Sequence, residues 1–272
     1  MEQNQTKCEK YREKKLDVRL ACAAQMVRAG AVLADIGTDH AYLPIALLQS
    51  GAISHAVAAD IAEKPLETAR AHLKQYESSH PAWLDHITLV RTDGLDGLHQ
   101  YTPWITDITI CGMGGELIAR ILENAMPFCT AVSCSAPFPC RRFILQPMTM
   151  QPYLRLWLYS HGFIIETERL CQTANGKLYS VLCCRHSGES PRVPTHSTED
   201  AAAFQGEAIL GAQLIADPEN RPLLYPYLKR KTVSLARIVD GRRTAGTPCE
   251  AEAYAYTLAQ KLLAEMKIEP SV

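Results

Sequence analysis

The chain has 272 residues, with 28 Lys and Arg against 29 Asp and Glu, a formal net charge of −1 and 47% hydrophobic content; that length suits one domain of about 190 residues plus a smaller unit, and the near-zero charge names no polyanionic partner, although a global sum hides local patches. No apolar stretch approaches the roughly 20 residues needed to cross a bilayer, and the first fifteen residues are polar and lack the apolar core of a secretory signal, so a cytoplasmic protein without a membrane partner is expected. The ten cysteines contain no CxxC spacing, which argues against a disulfide or metal framework and for reduced, buried thiols.

From Leu16 to Ala29 apolar residues recur at helical spacing and Gly30 follows, predicting a lead-in helix. Short apolar runs then predict strands at Ala31–Ile36, Ala56–Asp60, Ile87–Arg91, Asp107–Cys111 and Arg142–Gln146. Helical stretches at Leu43–Ser50, Glu63–Tyr76, Gly115–Asn124 and Pro152–Ser160 separate them. Strand and helix in alternation force parallel pairing with right-handed crossovers, so a doubly wound sheet is expected. Gly162–Leu170 and Lys177–Arg185 flank the turn residues Thr173-Ala174-Asn175-Gly176 and predict a hairpin. Ser187–Thr198, with two prolines and many small polar residues, reads as a linker and divides the chain at 1–190 and 191–272. Beyond it, helices are predicted near Phe204–Ala216, Arg221–Val239 and Glu250–Lys267, with Gly241 and Gly246-Thr247-Pro248 as breakers. This second unit reads as a helical hairpin.

The stretch Ala31–Pro44 (AVLADIGTDHAYLP) runs a buried strand through a glycine turn into a helix, which brings backbone N–H groups to the carboxyl edge of the sheet. A dinucleotide fold needs G-x-G-x-x-G there. This loop has Gly37 alone, followed by Thr38, and it carries Asp35 and Asp39, which repel phosphate. S-adenosyl-L-methionine has no phosphate and carries an ammonium and a sulfonium, charges that such a loop favours. Asp60 ends the second strand, where a carboxylate can accept both hydroxyls of a ribose, and Asp93-Gly94 follows the third, where contacts to an adenine ring are expected. The closing hairpin also suits a methyltransferase sheet better than a dinucleotide-binding one, giving a Rossmann-like class I fold with a C-terminal helical domain.

After the fourth strand, Cys111-Gly112-Met113-Gly114-Gly115 removes side chains where substrate meets the methyl group, so Gly112, Gly114 and Gly115 join the cofactor-site candidates. There is no Asn/Asp-Pro-Pro-Tyr motif for methylating an amino group, and Cys140 of Phe138-Pro139-Cys140 falls before the fifth strand, away from the expected edge, which assigns it a structural role.

Three signatures, Ala34–Pro44 (ADIGTDHAYLP), Gly112–Gly115 (GMGG) and Leu145-Gln146-Pro147, resemble the bacterial tRNA (adenine-22, N1)-methyltransferases. The resemblance runs from about Leu16 to Arg185 and more loosely over the C-terminal helices, which it implies form a coiled-coil-like domain; Phe128–Cys140 departs from it. It implies methyl transfer from S-adenosyl-L-methionine to N1 of an adenine in the D-loop region of tRNA. Asp39 is then a candidate for stabilising the cationic product base, with His40 and Tyr42 orienting that base; a helix-start residue and a packing aromatic are the alternatives for these two. RNA contacts are expected from the seven basic residues of Arg221–Arg243, above all Lys229, Arg230, Lys231 and Arg237, and from Lys14, Lys15 and Arg19. A solvated helix face also accounts for such a charge run. A same-fold enzyme acting on a small molecule or protein, and a non-catalytic RNA-binding protein, are the competing readings. No metal is expected and no oligomer is required.

Overall fold

Apolar runs that cannot remain in water build a seven-stranded sheet in the computed structural model, which describes residues 16–75, 84–101, 104–130, 141–189 and 197–268. Lys14, Lys15, Cys140 and the division at residues 190 and 191 lie outside the described residues. The elements are α1 (Val18–Met26), β1 (Ala31–Ile36), α2 (Tyr42–Gln49), β2 (Ile53–Asp60), α3 (Glu63–Lys74), β3 (Ile87–Arg91), a 3-10 turn (Asp96–Tyr101), β4 (Asp107–Gly114), α4 (Gly115–Asn124), α5 (Met126–Thr130), β5 (Arg142–Thr149), α6 (Gln151–Ser160), β6 (Phe163–Gln172) and β7 (Leu178–His186). Then follow α7 (Thr198–Leu210), α8 (Ala212–Ala216), the turn Pro218–Asn220, α9 (Arg221–Thr244) and α10 (Glu250–Ile268).

The strand order is β3-β2-β1-β4-β5-β7-β6, parallel from β3 to β5 and antiparallel where β7 meets β5 and β6. The order reverses between β1 and β4, and at such a switch point the strand ends leave a crevice. Period-two alternation sends β1 into two cores: Ala34 and Ile36 pack with Ile118 and Leu122 of α4, Leu33 with Leu43 and Leu47 of α2. On β5, Ile144 packs beneath Cys22, Ala23 and Met26 of α1, while Phe143 and Leu145 face the opposite core. Burial on both faces explains why these strands are nearly continuous apolar runs. Truncating a fully buried leucine such as Leu122 costs about 2–5 kcal/mol.

Several boundaries differ from the sequence reading. Strand β4 continues to Gly114 and β5 to Thr149, because the glycine run stays paired through two register shifts after Cys111. Gly241 does not end α9, which runs on to Thr244: a helical glycine costs only about 1 kcal/mol, and Arg242 beyond it pairs with Glu252 of α10 (3.0 Å). Helix α7 begins at Thr198, with Ser197 Oγ accepting from the Asp200 amide (2.9 Å), and breaks at Gly211 (φ 87°). The break is steric as well, since a Cβ there would lie 2.9 Å from Arg155 Nη2.

Instead of a two-helix hairpin, α9 and α10 pack with α7 around Leu210, Leu224, Leu228, Leu235, Ala255 and Ala259. This bundle is fastened to the sheet. Asn220 is buried, accepts from the Leu170 amide (2.7 Å) and donates to the Glu168 and Leu214 carbonyls (2.6 and 2.8 Å). Arg155 of α6, 1% exposed, pairs through two nitrogens with Glu168 of β6 and donates to the Ala208 carbonyl (2.8 Å) at the end of α7. Among the described residues no helix is long and apolar enough to cross a membrane.

Candidate active site

At the carboxyl ends of β1 and β4 lies a cavity of about 300 Å³ lined by Asp17, Arg19, Leu20, Asp35, Gly37, Thr38, Asp39, Tyr42, Leu43, Cys111, Gly112 and Gln146. Of the residues expected for the cofactor, Asp35, Gly37, Thr38 and Gly112 converge there, as do Asp39 and Tyr42 of the substrate set. Asp60, Asp93 and Gly94 stand at or beyond the ends of β2 and β3, outside its lining. Asp60 Oδ1 accepts the Ala62 amide (2.8 Å), so half of its carboxylate is engaged in the turn that opens α3. Gly115 has a packing reason of its own, because a Cβ would sit 2.5 Å from the Met150 carbonyl oxygen.

The glycine turn is tighter than the sequence reading supposed. The Gly37 and Thr38 amides both donate to the Ala59 carbonyl (2.8 and 3.0 Å), so neither points to an anion. Gly37 holds φ 69°, where L side chains are strained, and a Cβ would collide with the Met113 methyl group. Asp39 (φ 49°) and Ala41 (φ 57°) carry the chain through two further left-handed residues before α2 begins at Tyr42.

Asp35 is 5% exposed and its oxygens accept from Thr38 Oγ1 (2.7 Å) and Thr109 Oγ1 (2.6 Å). Burial pushes its carboxyl above the usual range; the two hydroxyls pull it back, and the charge on Asp60 adds to the rise. Among the described residues it has no cationic partner, because Arg19, the cation on the cavity wall, pairs with Asp17 (2.5 Å). A buried carboxylate held by neutral hydroxyls is an unfilled half of an ion pair. Burial and the Asp35 charge also raise Cys111 well above the ordinary thiol range, which keeps it protonated and unsuited to nucleophilic attack.

At the mouth, His40, Tyr42 and His72 of α3 form a ring cluster with centroids 5.0 to 5.6 Å apart. His72 Nδ1 donates to the His40 carbonyl (3.1 Å), His40 Nε2 lies 3.5 Å from Asp39, and Tyr42 is 37% exposed. The sequence reading assigns no site role to Asp17 or His72, and Gln146 stands in it only within the signature Leu145-Gln146-Pro147, without a role. Asp17 had a usable signal, being the N-cap of α1, where it accepts the Arg19 and Leu20 amides. Gln146 accepts the Gly112 amide (3.1 Å) and donates to the Pro147 carbonyl (3.1 Å), a cross-strand role that spacing does not reveal.

The expected RNA-contact residues do not share one surface. Lys229, Arg230 and Arg237 are exposed on α9, whereas Lys231 is partly buried with its ammonium 5.6 Å from the Tyr227 ring centre, because its position on the helix turns it towards the sheet. Arg19 belongs to the cavity wall, touching Met148 Sδ and lying 5.4 Å from the Tyr179 ring centre.

Residues 16–182 match the family described as a methyltransferase domain. The tRNA (adenine(22)-N(1))-methyltransferase of Bacillus subtilis is 36% identical over 170 residues, covering 62% of this chain and 65% of its own length. The chain thus spans a little under two thirds of that curated relative. The crystal structure of the B. subtilis tRNA methyltransferase TrmK superposes with a TM-score of 0.65 at 28% identity, covering 93% of this chain and 98% of its own. Sp1610 of Streptococcus pneumoniae, solved in complex with S-adenosyl-L-methionine, gives a TM-score of 0.65 at 28% identity over 90% of this chain and 98% of its own.

Proposed function

The chain belongs to the family of methyltransferase domains, and we propose that it moves the methyl group of S-adenosyl-L-methionine onto N1 of adenine 22 in tRNA, in the cytoplasm. The observation that carries this reading is Asp35, a buried carboxylate with no cationic partner among the described residues, in a cavity whose turn amides are already bonded. Those residues fit a cationic, phosphate-free cofactor and disfavour a dinucleotide. Similarity to the B. subtilis enzyme and to the cofactor-bound S. pneumoniae protein supports the choice.

When bound, S-adenosyl-L-methionine supplies an electrophilic methyl group on a cationic sulfur. Asp35, fixed by Thr38 and Thr109, would hold its ammonium, and Asp60 its ribose through the oxygen not taken by Ala62. Adenine N1 carries its own lone pair at neutral pH, so the protein need not remove a proton; it has to align the base and exclude water. In this reading His40, Tyr42 and His72 offer faces for a base, and Asp39, with a side chain 70% exposed beside them, stabilises positive charge developing on the ring. Residues 1–190 would carry the methyl transfer, with Arg19 on the cavity wall as an RNA contact, and 191–272 the other RNA contacts, with Lys229, Arg230 and Arg237 exposed on α9.

The test is transfer of labelled methyl to unmodified tRNA followed by nucleoside analysis. Label recovered as 1-methyladenosine, and lost when adenine 22 is replaced, is the expected result. Unlabelled RNA from a protein that still binds cofactor would overturn it.

A further inference from the structure

A second cavity of about 300 Å³ lies where the helical bundle meets the sheet, bounded by β6, β7, the first turns of α6 and helix α9. Tyr227, Arg230, Lys231 and Ser234 reach it from α9 at spacings of three, four and seven residues, one stripe of the helix. Gln151, Arg155 and Ser180 complete the polar wall, and no carboxylate lines it among the described residues.

Its cations are unequally satisfied. The charge of Arg155 is matched by Glu168, and Arg230 Nη1 donates to the neutral Gly176 carbonyl (2.8 Å). Lys231 makes no hydrogen bond or salt bridge among the described residues; burial first, and then the Arg155 charge, pull its ammonium down to about 8, with Glu168 opposing. Tyr227, on the same wall, is pushed up to about 12 by burial and stays neutral near pH 8. Opposite them Ser180 is 4% exposed, and its Oγ has no hydrogen-bond partner among the described residues. A buried hydroxyl left without a partner is costly. Donors and cations gathered without a carboxylate describe a site for an anion.

The position identifies the anion's source. β7 runs antiparallel to β5, which places Tyr179 at the edge where β5 ends, the edge that also holds the acidic cavity. Tyr179 lines the junction cavity, and the Arg19 guanidinium over its ring lines the acidic one, so this pair forms a common wall.

We propose that the junction cavity is a phosphate subsite, in which Lys231 and Ser180 hold one phosphodiester of the RNA backbone close to the base presented at the acidic cavity. The inference rests on the RNA reading above. A phosphodiester carries one negative charge and offers only acceptors, which complements an ammonium and a free hydroxyl.

The experiment measures tRNA affinity of the full chain against salt and pH. Lys231→Gln is expected to weaken tRNA binding about tenfold and to lower the slope of log affinity against log salt by about one, with S-adenosyl-L-methionine affinity kept as proof of folding. Wild-type affinity should fall as pH rises above about 8, where the free-state ammonium loses its proton. Lys231→Arg, charged throughout, should keep the slope and lose this pH dependence. Ser180→Ala should weaken binding several-fold without changing the slope. Unchanged affinity and slope in Lys231→Gln and Ser180→Ala, with wild-type methyl transfer intact, would overturn the subsite and leave the proposed function standing. If inorganic phosphate at fixed ionic strength raised the melting temperature through Lys231 while tRNA binding ignored it, the site would take a free anion and the RNA assignment would fall. Absence of methyl transfer to tRNA by the wild type would instead remove the function, and this assignment with it.

Discussion

The two cavities are equal in volume, share a wall and are opposite in charge. Among the described residues, one holds a buried carboxylate with no ion pair and the other a half-buried ammonium with no hydrogen bond or salt bridge, felt only weakly by Glu168. Each withholds the counter-charge that would make it stable alone, and the withheld charge corresponds to the proposed ligand. They differ in what supports them. Asp35 is held by two hydroxyls of the sheet and its first turn, Thr109 and Thr38, whereas the junction depends on Arg155 and Glu168, which join the sheet to a separate bundle. A chemical site can therefore be local while a binding site between units needs a buried ion pair to exist.

The largest expected effect breaks the junction. Glu168→Ala leaves the Arg155 charge uncompensated in the interior and should cost about 3–5 kcal/mol of stability in urea titration; Arg155→Met combined with Glu168→Leu should recover most of it. Asp35→Asn separates function from folding on the other side: cofactor affinity should fall about 100-fold by calorimetry, roughly 2.7 kcal/mol, with the unliganded fold kept. Because the folded protein raises the Asp35 carboxyl above 3.8, its contribution to stability is full below that pH and is lost as pH rises through the folded value. Melting temperatures taken upward from pH 4 should accordingly drift in favour of the Asn variant. Gly37→Ala, forced to keep φ 69°, should lose roughly 1–2 kcal/mol in thermal melts. The smallest effect sharpens the contrast, since Arg237→Gln, changing an exposed cation on α9, should weaken tRNA binding only two- to threefold in a filter assay.

The strands and the acidic loop were legible because they depend on short-range pattern. Ala31–Ile36 is a strand by its apolar run, and Asp35, Gly37 and Asp39 define a turn by their spacing alone. The glycine run after Cys111 misled because glycine signals a loop locally, whereas pairing with β5 keeps Met113 and Gly114 in the sheet. Gln146 stands in a family signature without a role and Ser180 gives no signal at all, since their roles exist only once β5, β4 and β7 lie side by side. Lys231 was read as one of a run of cations; the stripe it shares with Tyr227 and Ser234 was present in the sequence, but which side of α9 faces the sheet is decided by packing around Leu224, Leu228 and Leu235. His72 lies thirty residues beyond Tyr42 and meets it only through the fold.

The break between α7 and α8 constrains how this architecture can diverge. The guanidinium of Arg155 occupies the space that a side chain at position 211 would claim, so Gly211, Arg155 and Glu168 are expected to change together. A lineage that replaces the glycine is expected to have shed the arginine and, with its partner stranded, the glutamate as well. An alignment of relatives in which position 211 varies while Arg155 and Glu168 stay would break that expectation.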